Sequence, residues 1–383
     1  MRVVHIITRL IVGGAQENTI STVLGLDAIA DTDVHLISGP SLGPEGSLAH
    51  KVDCLSNRFI KIPELVRSIS PWKDFRTLNL LTGILKRLSP DIVHTHSAKA
   101  GVLGRLAAAK AGVPLIVHSI HGPSFGSFQN QFSNFLFCKA ERLAGKKTHC
   151  FISVADAMSR QYLEAGIGKP SQYHRVFSGF DLGPYLQSEN SQALRTRYGI
   201  RETDFVIGKI ARLFKLKGHD DLIHIARDLV ESCPNIRFLL VGDGVWRARL
   251  ESKIESLGLN DHFIFTGLVP PTEIPGLTGI MDMLVHLSIR EGLPRALPQA
   301  LAAGKPVVAY DCDGAKEVCQ DNETGFLIDA GDLKTFTRRI RDLWESKTLR
   351  DRLAAKGHEF VLNNFDTPLM VKNIHAIYSD LLR

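Results

Sequence analysis

Three stretches of this 383-residue chain carry side chains suited to handling a phosphate or a sugar. The first is Ile11-Val12-Gly13-Gly14-Ala15-Gln16, where two glycines let backbone N–H groups approach an anion at the start of a helix. Its spacing is not G-x-G-x-x-G, and Ser38 rather than an acid closes the second β-branched run, so a dinucleotide is disfavoured. The second is Arg212-Leu213-Phe214-Lys215-Leu216-Lys217-Gly218. A guanidinium fork and an ammonium point charge beside a helix start supply the kind of positive charge a diphosphate needs. The third runs Glu291-Gly292-Leu293-Pro294-Arg295-Ala296-Leu297-Pro298-Gln299. Glu291 on a glycine-bearing loop can accept hydrogen bonds from sugar hydroxyls, and Gln299, about two helical turns further on, can bond a ribose. Taken singly, each is more often a tight turn, a solvated basic loop or a cap. Two histidine pairs, His94-x-His96 and His118-x-x-His121, also lie at strand ends, where two imidazoles and a carboxylate suffice for zinc.

Such groups need rigid elements behind them. In the first half, short β-branched runs at Val3–Ile7, Val34–Ser38, Ile92–His96, Leu115–Ser119 and Phe151–Val154 predict buried strands. Helical spacing over Gln16–Leu26, Trp72–Leu88 and Gly101–Ala111 separates them. The second half repeats the alternation, from the run Phe205–Ile210 to the run Val307–Ala309. Strands separated by helices at this spacing predict an α/β protein with two Rossmann-like, doubly wound parallel sheets. The expected domains are 1–182 and 183–365 facing one cleft, with a helix over 366–383 packing back toward the first. Open sheets of this kind bind ligands beyond the carboxyl ends of their strands, where all three stretches fall.

Composition removes several alternatives. Hydrophobic content of 44% and charged content of 22% exclude collagen, long coiled coil and wholesale disorder. Apolar runs such as Ala300–Ala303 fall far below the roughly 18 residues of a spanning helix, and Met1–Ile7 lacks a signal-peptide pattern, so a cytoplasmic location is expected. Six scattered cysteines without a C-x-x-C pair fit reduced thiols. The net charge of +6 is uneven. Residues 1–182 hold 20 Lys/Arg against 13 Asp/Glu, and residues 183–383 hold 26 against 27. A basic first half suits an anionic membrane or a polyphosphate ligand, and no zinc-finger spacing, RNP-type run or arginine-rich tract supports nucleic acid.

Read together, the motifs resemble the GT-B glycosyltransferases of family 4, which are retaining and use nucleotide-sugars. The likeness covers essentially the whole chain: Gly13-Gly14, Arg212 to Gly218, Val241-Gly242-Asp243-Gly244, Phe265-Thr266-Gly267, and Arg290-Glu291-Gly292-Leu293-Pro294 through Gly304-Lys305-Pro306-Val307-Val308. The segment Ile92 to Gly101 is similar to the branch that builds bacterial surface polysaccharides on polyprenyl-diphosphate carriers.

That resemblance implies roles. Arg212 and Lys217 would hold the donor diphosphate, and Glu291, the first acid of the family's E-x7-E pattern, would touch the donor sugar. Gly13, Gly14, Gly242, Gly267, Gly292, Leu293 and Pro294 would complete the donor site, with no metal or other cofactor. Gln299 stands where the family's second acid grips the ribose, a departure from the pattern. His121 would face the donor sugar, and His94, His96 and Lys99 fall on the acceptor side. The implied partners are a nucleotide-sugar, with UDP as the carrier, a lipid-linked or saccharide acceptor, and the anionic inner face of the cell membrane. A nucleotide-sugar epimerase on the same fold and a catalytically weak partner subunit are the alternatives.

Overall fold

A computed structural model describes residues 1–41, 43, 46–126 and 128–383. The chain forms two compact units, Met1–Phe180 with Thr367–Arg383, and Asp181–Asp366. In the first, seven strands are β1 (Arg2–Ile7), β2 (Asp33–Ser38), β3 (Phe59–Lys61), β4 (Ile92–His96), β5 (Leu115–Ile120), β6 (Cys150–Ser153) and β7 (Tyr173–Arg175). They pair in parallel in the order β3-β2-β1-β4-β5-β6-β7. Helices cover both faces, which is why β1, β4 and β5 are buried nearly throughout instead of on alternate residues, their histidines included.

One face of this sheet meets the helices Gly14–Asp27 and Thr367–Leu381. Met370, Val371, Ile374 and Tyr378 of the C-terminal helix join Ile20, Val23 and Leu26 in one core cluster. Buried apolar side chains contribute roughly 1.5–3 kcal/mol each, so this helix is held as an integral part of the first unit. The other face meets Pro71–Leu88 and Ala98–Ala111 through Val4, Ile6, Leu81, Leu85, Ala100 and Ala107.

The second unit contains β8 (Phe205–Ile210), β9 (Ile236–Val241), β10 (Phe263–Gly267), β11 (Met283–His286), β12 (Val307–Tyr310) and β13 (Gly325–Ile328). Their order is β10-β9-β8-β11-β12-β13, again parallel. In each sheet the strand order reverses once, between β1 and β4 and between β8 and β11. Two parallel, doubly wound sheets are the architecture the alternation of strand and helix predicts.

Three strands and several helices carry no signal that the sequence pattern singles out; the helices include Gln131–Gly145, Asp156–Glu164, Leu333–Glu345 and Lys347–Asn364. The strands β3, β7 and β13 are three or four residues long and lie at or next to sheet edges. The helix Gln131–Gly145 buries only Glu141, Ala144 and Gly145 while Phe132, Phe135, Leu136 and Leu143 face outward, so its apolar residues do not mark the core side.

Candidate active site

The reversal between β8 and β11 is where the second unit assembles its charged residues. The loop after β8 carries Arg212 and Lys217, and the loop after β11 carries Glu291. Two glycines let these loops approach. Gly218 adopts φ +65°, and a Cβ there would lie 2.1 Å from the Leu287 carbonyl oxygen. Gly242, after β9, adopts φ +136°, and its Cβ would lie 2.3 Å from the Ala211 carbonyl oxygen. Any other residue at either place would push the loops apart. Backbone bonds lock the arrangement: Ile289 N–H donates to the Leu216 carbonyl at 3.0 Å, and Leu213 N–H to the Asp243 carbonyl at 2.9 Å.

Within this frame the Lys217 ammonium donates to Glu291 Oε1, both side chains being about one-fifth exposed. Glu291 N–H donates to Asp313 Oδ2 at 2.7 Å, which fixes the loop against the segment following β12. Gly314 N–H donates to the Gly292 carbonyl at 3.1 Å in the same seam. Burial alone would raise the Glu291 carboxyl, but Lys217 and then His286 outweigh it and hold it below the ordinary glutamate range. His219 donates its Nε2–H to the Arg212 carbonyl at 3.0 Å, pinning the loop that bears the exposed Arg212, whose guanidinium lies 5.0 Å from the Phe214 ring centre. Burial pushes His219 down to about 4, so it is neutral at pH 7.

Leu293 and Pro294 are buried, and Gln299 is half-buried on the helix Ala296–Ala302 that the Glu291 loop opens into. Gly267 closes β10 and bridges to Gly242. Lys209, inside β8, is a residue the sequence reading passed over. Its ammonium is buried with no hydrogen-bond partner among the described residues, and burial, aided by Lys217, pushes it down to about 7. A lysine within the apolar run Phe205–Ile210 was the available signal.

In the first unit, Gly13 is extended and caps the helix that begins at Gly14, with its carbonyl accepting the Glu17 N–H at 2.9 Å. Lys99 is ion-paired with Asp74 at 2.5 Å and also donates to the Ser68 carbonyl, so it ties the helix Ala98–Ala111 to the segment before and within Pro71–Leu88. His94 is fully buried, with Nε2 2.8 Å from Ser119 Oγ and Nδ1 bonded to Tyr378. It therefore stands behind the surface and not on it. His96 is also fully buried, and its Nδ1 lies 3.2 Å from Nε2 of the half-buried His121.

The histidine pairing differs from the spacing-based expectation. His118 lies with Thr95, whose Oγ1 is 2.9 Å from its Nδ1, and does not join His121. The partner of His94 and His96 is instead His5, directly opposite His94 in the β1–β4 register. Burial holds His5 at about 3 and His94 and His96 well below the usual imidazole value.

Residues 12–183 match the family model Glycosyltransferase Family 4, and residues 190–360 match Glycosyl transferases group 1. The chain is 28% identical over 354 residues to UDP-Gal:alpha-D-GlcNAc-diphosphoundecaprenol alpha-1,3-galactosyltransferase of Escherichia coli, spanning 91% of this chain and 89% of that protein. It is 31% identical over 293 residues to the glycosyltransferase EpsD of Bacillus subtilis, spanning 76% of each. Its fold matches Anabaena Alr3699/HepE in complex with UDP and glucose at a TM-score of 0.82 and 22% identity, covering 99% and 100% of the two chains.

Proposed function

The chain belongs to glycosyltransferase family 4 and has the GT-B fold, and on that premise we propose that it moves a hexose from a UDP-sugar to a saccharide on a lipid diphosphate, in surface polysaccharide or glycolipid synthesis. The observation that carries this reading is the Lys217–Glu291 pair, an ammonium beside a carboxylate at one topological switch point, which supports a diphosphate and a sugar binding there. The E. coli relative, named for a UDP-Gal donor and a diphosphoundecaprenol-linked acceptor, supports UDP and a lipid carrier.

In this proposal Arg212 and Lys217 neutralise the leaving diphosphate as the glycosidic bond to it breaks, so the reaction proceeds without a metal. Glu291 binds the transferred sugar, the Gly292 and Leu293 N–H groups support it, and Gln299 bonds the ribose. His121 is the candidate sugar contact of the first unit. The incoming hydroxyl attacks from the face the diphosphate leaves, its proton passing to the departing phosphate, so the configuration is retained.

The acceptor's carrier gives a role to an unusual surface. On Pro71–Leu88, Trp72 is 70% and Phe75 59% exposed, alongside exposed Lys73, Arg76, Lys86 and Arg87. On Gln131–Gly145, Phe132 is 72% and Phe135 59% exposed, with Lys139 and Arg142 nearby in sequence. Aromatic side chains among cations suit the interface of an anionic bilayer. No helix among the described residues is long and apolar enough to cross a membrane. The proposed location is the cytoplasmic face of the cell membrane.

Thermal unfolding with UDP-, GDP- and ADP-sugars tests the donor assignment. A ligand at about 100 times its Kd stabilises by about 2.7 kcal/mol. UDP-sugars are expected to raise the midpoint in the wild type and to raise it less in Arg212→Ala. A rise with GDP- or ADP-sugars alone would overturn the UDP assignment.

A further inference from the structure

His5, His96 and His121 form a continuous hydrogen-bonded chain across three neighbouring strands. His5 Nδ1 lies 2.9 Å from His96 Nε2, and His96 Nδ1 lies 3.2 Å from His121 Nε2. Successive rings are nearly parallel, at 16° and 23°. The alternation of strand side chains places His5, His94, His96 and Ser119 on the sheet face that also receives Tyr378. His5 and His96 are wholly buried, while His121 is half-buried just beyond β5.

A neutral imidazole has one N–H donor and one acceptor nitrogen, so fixing either end of such a chain fixes every proton in it. The inner end is His5 Nε2, which is buried and has no hydrogen-bond partner among the described residues. If the chain ran inward, His5 Nε2 would carry a proton with nothing to receive it. If it runs outward, the leftover atom is a lone pair, and among backbone groups buried orphan N–H is the rarer of the two. The outward polarity therefore wins. His5 Nδ1–H donates to His96 Nε2, and His96 Nδ1–H donates to His121 Nε2, leaving the proton of His121 on Nδ1.

We propose that His5 and His96 are positioning residues that hold the His121 ring in one plane and one tautomer, so that it meets the substrate as an Nδ1–H donor. This rests on His121 being a sugar contact for its functional consequence, though not for the polarity itself. His5, His94 and His96 also lie close enough together to serve as three imidazole ligands. Five of their six ring nitrogens already have a protein partner, however, and no carboxylate belongs to the group. The hydrogen-bonded chain is the reading that uses these contacts as they stand.

The test is long-range ¹H–¹⁵N NMR of histidine-labelled full-length protein, with His121 assigned by the signals lost in His121→Ala. The wild type is expected to show His121 as the Nδ1–H tautomer, opposite to the Nε2–H form that free histidine favours. His96→Phe should shift it toward Nε2–H and lower kcat about tenfold or more, with little change in donor KM. His5→Asn, whose amide can still donate to His96, should keep the Nδ1–H form where His5→Leu loses it. This pair keeps the test open if His96→Phe fails to fold. An Nε2–H His121 in the wild type, an unchanged tautomer in folded His96→Phe, or one equivalent of tightly held zinc lost in His5→Leu would each overturn the proposal. If the NMR results hold while His121→Ala keeps full turnover, the polarity stands and the sugar-contact role of His121 fails.

Discussion

Lys217 and Glu291 are bonded to each other across 74 residues of chain, so that the loops after β8 and β11 share one neutralised pair of charges. Each partner explains the other's tolerance of partial burial. An isolated buried carboxylate would be strongly disfavoured, and Lys217 is what keeps Glu291 ionised. The same pairing makes the two residues one electrostatic unit, which a diphosphate can enter by sharing the ammonium.

Replacing Lys217 with Met is expected to lower kcat/KM by about 10²–10³, in line with losing one fixed transition-state donor. It also has a pH signature. The folded Glu291 carboxyl titrates below its unfolded value, so its pairing stabilises the fold above the unfolded value and that contribution is lost as pH falls through the folded one. Without Lys217, burial dominates and the carboxyl rises. The acid limb of kcat should accordingly move upward in Lys217→Met, and a pH profile that keeps the wild-type shape would contradict this account of the pair.

Gln299 and Glu291 separate by kinetics. Glu291→Ala should lower kcat, because its proposed contact is with the group being transferred, while Gln299→Ala should act mostly through KM. A charged acceptor makes a hydrogen bond worth about 1.5–3 kcal/mol against about 0.5–1.5 for a neutral one, so Gln299→Glu should tighten UDP by up to about tenfold. Calorimetric titration of UDP into the three variants checks this. Equal binding by Gln299→Ala and wild type would place the ribose elsewhere.

The exposed aromatics predict a salt-sensitive membrane contact. Binding to vesicles containing anionic phospholipid should weaken as ionic strength rises, since screening shortens the reach of Lys73, Arg76, Lys86 and Arg87. Replacing Trp72, Phe75, Phe132 and Phe135 with Ser should reduce binding at every salt concentration and leave unfolding nearly unchanged, because these side chains lie outside the core. Cosedimentation with vesicles measures both effects, and indifference to the aromatic replacements would remove this surface from the account.

Arg105 and Glu141 predict a stability effect away from the site. Their side chains are 0% and 1% exposed, with Nη2 2.5 Å from Oε2. Glu141→Ala would strand a buried guanidinium and should cost about 3–5 kcal/mol, whereas a double replacement by Met and Leu should cost far less. Urea midpoints of the two variants decide it, and similar losses in both would show that packing, not charge, dominates there.

How far the sequence speaks depends on whether the signal is local. The runs Val3–Ile7 and Phe205–Ile210 declare buried strands, and the strand–loop–helix order places Arg212, Lys217 and Glu291 beyond strand ends. The helix Gln131–Gly145 is obscured because its phenylalanines face outward, against the usual rule. His5 gains its meaning only from the β1–β4 register, and the Lys217–Glu291 and Arg105–Glu141 pairs join distant segments whose contacts no spacing rule reveals. Lys209 alone was visible locally, as a charge inside an apolar strand.

The central claim is sugar transfer with retention, without a metal, and the stereochemistry of the product tests it most directly. The protein would be incubated with a ¹³C-labelled UDP-α-hexose and a saccharide on a lipid diphosphate, in excess chelator, and the product anomer read by NMR. The account predicts a new α-linked sugar on the acceptor and release of UDP. A β-linked product, or label appearing in an altered sugar when no acceptor is present, would contradict it.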